Sequence, residues 1–490
     1  MHDVIAAESG KSLYESVAER VEFLVEEGAY RPGERVPSIR SLSQQFKVSV
    51  NTVKEAYRLL EDRRVLEARP QSGFFVCARL PEVVSAPVIS TPELSPLTVS
   101  TSELTARVMR DTLDLELVQF GCAIPNPELL PIERLNRMLS SETRRFRNQS
   151  IAYAIPPGNA RLRKQIAQRL VMSGCTLKPD EIVITDGCTE AVSLALRCLC
   201  QPGDTIAVET PVYYNFLQLI ETLGLRALEI PTDPSEGISL EALAYALDHN
   251  PLKACLVISN FNNPLGSRMS DARKQQLVNM LSARDIPLIE DDIYGDLAHD
   301  GDRPSVAKAY DRKGLVMLCS SFSKTLAPGY RVGWMAPGRF QEQFERLKMV
   351  NTIASASPPQ MAIAEFLANG GYDHHLRTIR RVYASKVAQM AEAIGRHFPQ
   401  GTRVSRPRGG FALWVEMPPE IDAVQLYRQA LPAGITLAPG NLFSVSGKYR
   451  NCVRLNAAFW SEHEERAVQL LGRLAGGLLG DSSKNPAAQP

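Results

Sequence analysis

One loop segment of this chain reads Ser321-Phe322-Ser323-Lys324-Thr325-Leu326-Ala327-Pro328-Gly329-Tyr330-Arg331-Val332-Gly333-Trp334. Small residues beside Lys324 leave room for a flat ring. The hydroxyl groups of Ser321 and Ser323, together with Arg331 seven positions after the lysine, can bind a phosphate. These are the requirements of a lysine that forms a Schiff base with pyridoxal 5'-phosphate. The segment therefore predicts a cofactor site built around Lys324.

The composition is that of an ordinary globular protein with one basic region. The 490 residues correspond to about three domains, and 44% of them are hydrophobic and 22% charged. The formal net charge is +1, but between Arg31 and Leu80 ten Lys and Arg residues stand against five Asp and Glu. This local excess predicts that nucleic acid binds to the first part of the chain.

The cysteines and the apolar stretches favour a cytoplasmic protein without a metal site. The nine cysteines follow no pairing pattern, and Cys198 and Cys200 have no histidine neighbours at ligand spacing. We therefore predict no metal, and free thiols fit a reducing cytosol. Residues 1–11 lack the basic start and apolar run of a signal peptide, and no apolar stretch is long enough for a membrane span. We expect a soluble protein with no membrane association.

Apolar residues recur at helical spacing in three segments of the first 80 residues. The first segment runs from Leu13 to Glu27, and the second and third begin after Ser38 and Ser49, which are favourable N-cap residues. Two short apolar segments follow, at residues 65–68 and 73–76, joined by a polar turn. Three helices and a hairpin predict a winged helix-turn-helix domain over residues 1–80.

The face predicted to be exposed on the third helix is polar and basic. It offers Asn51, Thr52, Lys54 and Arg58, and Arg40 lies early in the second helix. In a helix-turn-helix the last helix enters the major groove, where polar side chains reach base edges and Lys and Arg contact phosphates. The alternative is a solvated charged face on a helical cap that has only a structural role.

The same region resembles the GntR family of bacterial regulators over residues 11–78. The resemblance rests on four segments, Pro32-Gly33-Glu34-Arg35-Val36-Pro37-Ser38-Ile39-Arg40, Ser49-Val50-Asn51-Thr52-Val53, Ala56-Tyr57-Arg58-Leu59-Leu60 and Ser72-Gly73-Phe74-Phe75-Val76. It favours the DNA-binding interpretation over the structural one. It implies that the residues facing DNA include Arg40, Ser49, Asn51, Thr52 and Arg58, with Gly73 at the tip of the wing.

The rest of the chain divides into a linker, a large domain and a tail. Residues 81–112 are rich in Pro, Ser and Thr and are predicted to form an extended, semi-rigid linker. Residues 113–478 alternate helices with short strands that are apolar throughout, as in a parallel sheet covered by helices on both faces. The part after about residue 345 is predicted to be a smaller α+β subdomain, and residues 479–490 a disordered tail.

Two motifs of the large domain suit the phosphate and the pyridine nitrogen of the cofactor. Thr185-Asp186-Gly187-Cys188-Thr189-Glu190 follows a strand and opens a helix, whose N-terminal N–H groups suit a phosphate. Asp291 follows another strand, and an aspartate there can keep the ring nitrogen protonated. For the first motif the alternative is a strand-to-helix junction of the kind common in α/β folds. For the acidic residues of the second motif the alternative is a helix cap.

Three further motifs suit the rest of the ring and an anionic ligand. Asn263 and Tyr294 can reach the ring oxygen, and Tyr213 follows a strand and can stack on the ring. The apolar run around Arg454 is typical of a buried arginine, which favours a bidentate carboxylate partner. Ordinary turn chemistry and a structural ion pair are the alternatives.

Taken in this order, the motifs resemble a fold-type I aminotransferase of the class I/II group over residues 115–475. The resemblance implies that Lys324 carries pyridoxal phosphate and that Asp291 pairs with the pyridine nitrogen. It assigns Asn263 and Tyr294 to the ring oxygen, Tyr213 to stacking and Arg454 to the carboxylate of an amino acid. It also implies a homodimer, in which Tyr153 reaches the phosphate of the partner subunit. The phosphate ligands that it implies are Gly187, Cys188, Thr189, Ser321, Ser323 and Arg331.

The combination of a GntR-like domain with an aminotransferase-like domain resembles the MocR subfamily of transcriptional regulators. The resemblance implies double-stranded operator DNA as one partner and pyridoxal phosphate or an amine as the sensed ligand. An aminotransferase that carries a DNA-binding domain is the contrary hypothesis, and a degenerate scaffold that only dimerises is the third. The sequence leaves open the effector, the operator, the choice between activation and repression, and whether transamination is retained.

Overall fold

The computed structural model describes residues 12–26, 29–62, 65–69, 72–77, 85–89, 91–100, 103–111, 114 and 116–482. The chain forms two compact units, Met1–Glu82 and Val83–Pro490. Within the described ranges, no helix is both long and apolar enough to cross a membrane.

The first unit is a three-helix domain with a two-stranded wing. The sequence predicts its elements because the second and third helices each start with a capping residue: Ser38 and Ser49 accept hydrogen bonds from the N–H groups of Ser41 and Thr52, at 3.2 and 3.1 Å. Tyr57 is fully buried in the core and donates to the carbonyl of Pro37 at 2.7 Å. The elements are helices α1 (Leu13–Glu26), α2 (Ile39–Phe46) and α3 (Val50–Asp62), and antiparallel strands β1 (Leu66–Arg69) and β2 (Gly73–Val76).

The second unit alternates strands and helices before it ends in a smaller subdomain. Its elements are β3 (Leu97–Thr98), α4 (Glu103–Asp111), β4 (Val118–Gln119), α5 (Ile132–Arg145), α6 (Arg147–Ile151), α7 (Ala160–Leu170), β5 (Val183–Thr185), α8 (Cys188–Leu199), β6 (Thr205–Thr210), α9 (Tyr214–Thr222), β7 (Arg226–Asp233), β8 (Gly237–Ile238), α10 (Leu240–His249), β9 (Leu252–Val257), α11 (Asp271–Ala283), β10 (Leu288–Asp291), β11 (Val316–Ser321), β12 (Gly333–Ala336), α12 (Gln341–Thr352), α13 (Ser357–Ala368), α14 (Gly371–His397), β13 (Arg403–Val404), β14 (Ala412–Glu416), α15 (Ala423–Ala430), β15 (Ile435–Thr436), β16 (Ala438–Pro439), β17 (Cys452–Asn456) and α16 (Glu462–Ser482).

The main sheet has the strand order β3-β7-β6-β9-β10-β11-β12-β5, with β8 attached to β7. Strands β7, β6, β9, β10 and β11 are parallel to one another, as the apolar strand pattern predicts. Strand β12 runs antiparallel to both of its neighbours. It does so because the connection from β11 contains no crossover helix: the chain turns back through the Lys324 segment directly into β12.

Both faces of the sheet are covered by helices, which confirms the predicted α/β architecture. Successive residues of β6 point to opposite faces, so Ile206 and Val208 pack with helices α8 and α9, whereas Ala207 packs with α10 and α11. All six residues of β6 are buried. The apolar run Ile206-Ala207-Val208 is the pattern that predicted this strand from the sequence, and the buried Glu209 near its end accepts a hydrogen bond from the N–H of Ile258 at 2.7 Å.

The C-terminal part is a smaller α+β subdomain. Its antiparallel sheet has the order β13-β14-β17-β16, and helices α14 and α16 pack together beside it. Strand β15 pairs with β4, so residues near 118 pair with the C-terminal part although they lie far before it in the chain. Arg454 lies in β17 next to Trp414 in the register of β14.

The segment predicted to be an extended linker contains regular structure. Leu97–Thr98 is extended but pairs with the edge of the main sheet as β3, and Glu103–Asp111 forms α4, so the prediction of an extended chain is wrong for residues 103–111. Helix α4 buries Thr105 and Val108, three positions apart, and Tyr427 donates to the carboxylate of Asp111. A nine-residue helix gains its stability from such packing, and a sequence pattern with one buried threonine does not show it.

Helix α16 continues to Ser482, so its last turn extends beyond the predicted start of the tail at residue 479. The remaining tail residues, 483–490, lie outside the described residues. So do residues 1–11, the linker residues 81–84 and the hairpin turn at residues 70–71.

Candidate functional site

A cavity of about 190 Å³ opens at the carboxyl ends of strands β9, β10 and β11. This is the edge of an open α/β sheet where ligands bind, because loops from neighbouring strands converge there. Most of the cofactor residues predicted from the sequence line the cavity, and Phe216, Ile258 and Ile293 line it in addition. The lining residues are Cys188, Thr189, Tyr213, Phe216, Ile258, Asn263, Asp291, Ile293, Tyr294, Ser321, Ser323, Lys324 and Arg331.

Lys324 lies in the loop after β11 and is partly buried. Its Nζ donates to the carbonyl of Ala123 and lies 6.0 Å from the centre of the Tyr294 ring. Desolvation by the protein and then the nearby charge of Arg454 lower the pKa of Lys324 to about 8. A larger fraction of the amine is therefore neutral near pH 7 than for an exposed lysine, and only the neutral amine can attack a carbonyl carbon.

Asp291 ends β10 and presents one carboxylate oxygen to the cavity. Its Oδ1 accepts hydrogen bonds from the thiol of Cys188 at 3.1 Å and from the N–H of Ile293 at 3.0 Å. Among the described residues, none donates to its Oδ2. Burial raises the pKa of the carboxyl to about 6. Asp291 is thus held through one oxygen and leaves the other for a donor on a bound molecule.

The start of helix α8 and Arg331 form a cluster suited to an anion. Gly187 is the N-cap of α8 at φ 83°, and a Cβ on it would overlap Nη2 of Arg331. Arg331 donates to Oγ of Ser323 at 3.3 Å and to the carbonyl of Asp186 at 3.1 Å. The N–H groups of the first turn of α8 and the guanidinium therefore meet at one end of the cavity.

The remaining predicted phosphate residues differ in where their side chains point. Oγ of Ser321 accepts the N–H of Ser323 at 3.3 Å, and Oγ1 of Thr189 accepts from the amide of Asn215 at 3.5 Å. The thiol of Cys188 points toward Asp291. Cys188 can therefore offer the phosphate its backbone N–H, and its side chain has another role.

Three buried polar groups in and beside the cavity lack hydrogen-bond partners among the described residues. They are the hydroxyl of Tyr294, Oδ1 of Asn263, and Nε and Nη1 of the Arg454 guanidinium. Buried polar atoms are nearly always paired, so these groups favour a polar ligand at this place. The groups fit a polar ring substituent and a carboxylate.

Arg454 is fully buried but does not line the cavity. Its Nη2 donates to the carbonyl of Gly121, and the rings of Phe443 and Tyr214 lie 5.6 and 5.9 Å from its Cζ. The segment of residues 121–123 therefore contacts both cationic groups of the site, Arg454 through Gly121 and Lys324 through Ala123. Sequence reasoning missed this segment, because a contact made by a backbone carbonyl leaves no side-chain signal.

Tyr153, predicted to reach the partner subunit, lies apart from the cavity. Its side chain is 78% exposed and has exposed apolar neighbours in the chain, Ile151 and Ile155. The described chain alone gives it no contact with the cofactor residues.

Two cysteines lie beside Asp291, although sequence spacing gave no sign of a cluster. Ligand atoms of Cys188, Asp291 and Cys319 lie within 4.8 Å of one another. Cys188 precedes Asp291 by 103 positions and Cys319 by 131, so only the fold brings the three together. The absence of a bound metal stays a prediction.

In the first unit, the DNA-binding residues predicted from the sequence fall into two groups. Asn51, Lys54, Arg58 and Arg40 are exposed on α3 and α2. The hydroxyls of Ser49 and Thr52 lie 2.8 Å apart, and Ser49 also caps α3, so both are engaged at the start of the helix. Gly73 has φ 102°, and a Cβ on it would lie 3.1 Å from the guanidinium of Arg35. The wing therefore requires glycine at this position.

The raised pKa of Asp291 predicts that the difference in stability between wild type and an Asp291→Asn variant depends on pH. An unfolded aspartate loses its proton near pH 4 and the folded one near pH 6, so the stabilisation present at low pH is lost as the pH rises through this window. Asparagine does not titrate, so the Asp291→Asn variant lacks this loss. We therefore expect the free energy of unfolding of Asp291→Asn minus that of wild type, both without ligand, to rise by on the order of 2 kcal/mol between pH 4 and 7. Urea unfolding at several pH values measures this, and a constant difference contradicts it.

Comparison with known proteins identifies both parts of the chain. Residues 135–470 match the family of class I and II aminotransferases, and residues 13–76 match the gntR family of bacterial regulatory proteins. The HTH-type transcriptional regulators YdcR and YjiR of Escherichia coli strain K12, both uncharacterized, are each 39% identical, over 94% of this chain and 98% of their own length.

A solved structure with the same fold is LysN, the α-aminoadipate aminotransferase of Thermus thermophilus, in complex with N-(5'-phosphopyridoxyl)-L-leucine. It is 28% identical with a TM-score of 0.72, and the match covers 78% of this chain and 96% of LysN. The predicted winged helix-turn-helix and fold-type I aminotransferase architecture is thereby confirmed. This chain belongs to the MocR-like regulators, in which a GntR-family DNA-binding domain precedes a class I/II aminotransferase domain.

Proposed function

We propose that this protein is a transcriptional regulator that binds operator DNA and senses pyridoxal phosphate, or an amine that reacts with it. We assign DNA binding to residues 1–80, a connecting role to residues 81–112 and ligand binding to residues 113–478. The observation that carries the proposal is the cavity around Lys324, where the polar atoms of Tyr294 and Asn263 have no partner within the described part of the chain, together with an exposed basic face on helix α3. Both DNA and this cofactor are available in the cytoplasm.

The residues of the cavity fit pyridoxal phosphate. The α8 start with Gly187, Thr189, Ser321, Ser323 and Arg331 would hold the phosphate, and Oδ2 of Asp291 would accept from the ring nitrogen. Asn263 and Tyr294 would bind the ring oxygen: the buried Tyr294 hydroxyl lacks a partner among the described residues and can donate to it, and Asn263 would donate through its side-chain NH2 group. Bound at Lys324, the cofactor supplies an electrophilic carbon and an electron-withdrawing ring.

We propose that the sensed amine carries a carboxylate. Arg454 is fully buried, and its Nε and Nη1 have no partner among the described residues. Its Nη2 donates to the carbonyl of Gly121, and a carboxylate can replace this hydrogen bond with a charge-assisted, bidentate interaction. An amine without a carboxylate leaves these donors unsatisfied, so it is expected to bind more weakly.

We further propose that the protein is a homodimer. Five apolar or aromatic side chains, each at least half exposed, lie on two segments that an isolated bridge between Ala154 and Ser355 brings side by side. A cluster of this kind marks a protein interface more often than a solvated surface. Because Tyr153 is among them, a partner subunit would cover it. The five residues are Ile151, Tyr153, Ile155, Val350 and Ile353.

An aminotransferase with an attached DNA-binding domain is the second candidate function. It is favoured by the presence of Lys324, Asp291 and Arg454 in one site with the pKa of Lys324 lowered toward neutrality. Slow amino transfer is therefore compatible with the site. We rank it second because the DNA-binding domain serves transcription and contributes nothing to turnover.

The two functions are separated by measuring DNA binding and turnover on the same protein. We expect footprinting on the DNA upstream of the protein's own gene to show a protected site whose affinity changes with pyridoxal phosphate or an amino acid. Coupling of about 1–3 kcal/mol is typical, and DNA must change the ligand's affinity by the same factor. Turnover on the order of 1 per second or more, with a DNA affinity indifferent to every ligand, would make the protein an enzyme first.

A further inference from the structure

Two thiols are buried beside the carboxylate that we assign to the pyridine nitrogen. Cys188 begins helix α8, and Cys319 lies on β11 directly opposite Asp291 in the parallel register with β10. Sγ of Cys188 lies 3.1 Å from Oδ1 of Asp291 and 3.1 Å from Sγ of Cys319. All three residues are buried. The thiol of Cys188 thus lies between the carboxylate and a second thiol.

The contact with Cys188 decides which oxygen of Asp291 faces a ligand. Oδ1 accepts from the thiol and from the N–H of Ile293, and these two donors fix the orientation of the carboxylate. Oδ2 has no donor among the described residues, and Asp291 lines the cavity. Without the thiol, one N–H alone restrains Oδ1, and the carboxylate gains freedom to rotate.

The two thiols are suited to donate rather than to react. Burial raises the pKa of Cys319 to about 11 and raises the pKa of Cys188 well above the usual value of a thiol, so both keep their protons at neutral pH. Reactive cysteines are exposed and have lowered pKa values, and these have neither property. A protonated thiol is a weak hydrogen-bond donor, and an adjacent thiol can orient it.

We propose that Cys188 is a positioning residue that donates its S–H to Oδ1 of Asp291 and so holds Oδ2 toward the pyridine nitrogen, with Cys319 orienting Cys188. The inference rests on the proposed cofactor function. It gives the side chain of Cys188 a role apart from the phosphate site, to which the resemblance assigns this residue. The substitutions that test it differ in donor strength: serine keeps a donor, and alanine removes it.

The first test measures the affinity of the apoprotein for pyridoxal phosphate by titration of the visible absorption. We expect Cys188→Ala to weaken binding about tenfold, which corresponds to about 1.4 kcal/mol, and Cys188→Ser to stay close to wild type. Cys255→Ala is the matched control. Cys255 is also a buried cysteine, but it lies on β9 and packs on the face of the sheet opposite to that of Cys188 and Cys319. This variant is expected to behave as wild type.

The second test measures the pH midpoint of the colour change of the bound cofactor, which a loss of packing alone does not move. The Cys188 thiol lowers the pKa of Asp291, so its removal leaves less negative charge to keep the ring nitrogen protonated. A less positive ring withdraws fewer electrons, and we expect the midpoint to rise in Cys188→Ala and to return with Cys188→Ser. In Cys319→Ala, where the donor remains, we expect a smaller shift in the same direction.

The outcomes distinguish this inference from the proposed function. If wild type binds pyridoxal phosphate and Cys188→Ala matches Cys255→Ala in affinity and midpoint, the positioning role is wrong and the cofactor function stands. If Cys188→Ser fails to restore the midpoint, the donor role is wrong. If wild type binds no cofactor, the proposed function fails and this inference falls with it.

Discussion

Replacing Lys324 with alanine is expected to abolish covalent capture of the cofactor. Wild-type protein should be yellow, and borohydride should fix pyridoxal phosphate to a single peptide that contains Lys324. The reason is chemical: Lys324 is the one lysine among the described residues that lines the cavity, and its pKa is lowered to about 8, so a neutral amine is available there. Lys324→Ala should be colourless after gel filtration, and mass spectrometry of the reduced protein should find no added cofactor.

Lys274 provides the internal control for this experiment. Burial also lowers its pKa to about 8, but its Nζ donates to Oδ1 of Asn260 and to the carbonyl of Ser305, both at 2.7 Å, and it does not line the cavity. If a lowered pKa were sufficient for capture, reduction would label both lysines. Cofactor found on Lys274 or on another lysine in wild type contradicts the assignment. Unchanged thermal unfolding of Lys324→Ala confirms that its loss of colour is not a loss of fold.

Four residues that the sequence predicted for the site lie together because each of them comes at or after the end of a strand. Tyr213, Asn263, Asp291 and Lys324 come at the ends of β6, β9, β10 and β11 or shortly after them, and these strands are parallel neighbours in the sheet. Carboxyl ends of parallel strands meet at one edge, so chain position alone brings these residues together. The roles of the individual residues in binding the cofactor stay predictions.

Other features depend on contacts that a linear pattern does not contain. The order of the strands places β5 beside the reversed strand β12, which no apolar pattern reveals. Helix α4 forms where the composition of the linker predicted an extended chain. It is stabilised because Val108 is buried against the rest of the unit. The thiol of Cys188 contacts both Asp291 on β10 and Cys319 on the adjacent strand β11, which only the fold brings together. Each depends on residues far apart in the chain or on tertiary burial.

Replacing Arg58 with alanine is expected to weaken DNA binding roughly 100-fold, for every sequence alike. Arg58 is exposed on α3, and the buried Tyr57 anchors the same turn through its bond to Pro37, so the substitution leaves the fold intact. A charge-assisted bond to a phosphate contributes about 1.5 kcal/mol, and a dimer on two half-sites loses two of them. Fluorescence anisotropy at several salt concentrations measures the loss and the accompanying fall in the salt dependence.

Asn51 on the same helix should respond differently, and the difference separates base recognition from charge. An asparagine near the start of the recognition helix reaches a base edge, so Asn51→Ala should change the preference at one base position by ~1–3 kcal/mol and leave binding to random DNA unchanged.

Arg144→Ala is the control for net charge, because Arg144 is exposed on α5 of the other unit. If Arg144→Ala weakens binding as much as Arg58→Ala, the effect belongs to overall charge and not to α3. Equal affinity of wild type for random and upstream DNA at physiological salt would defeat the regulator function itself, because only a preference for particular sequences lets a ligand signal reach particular genes.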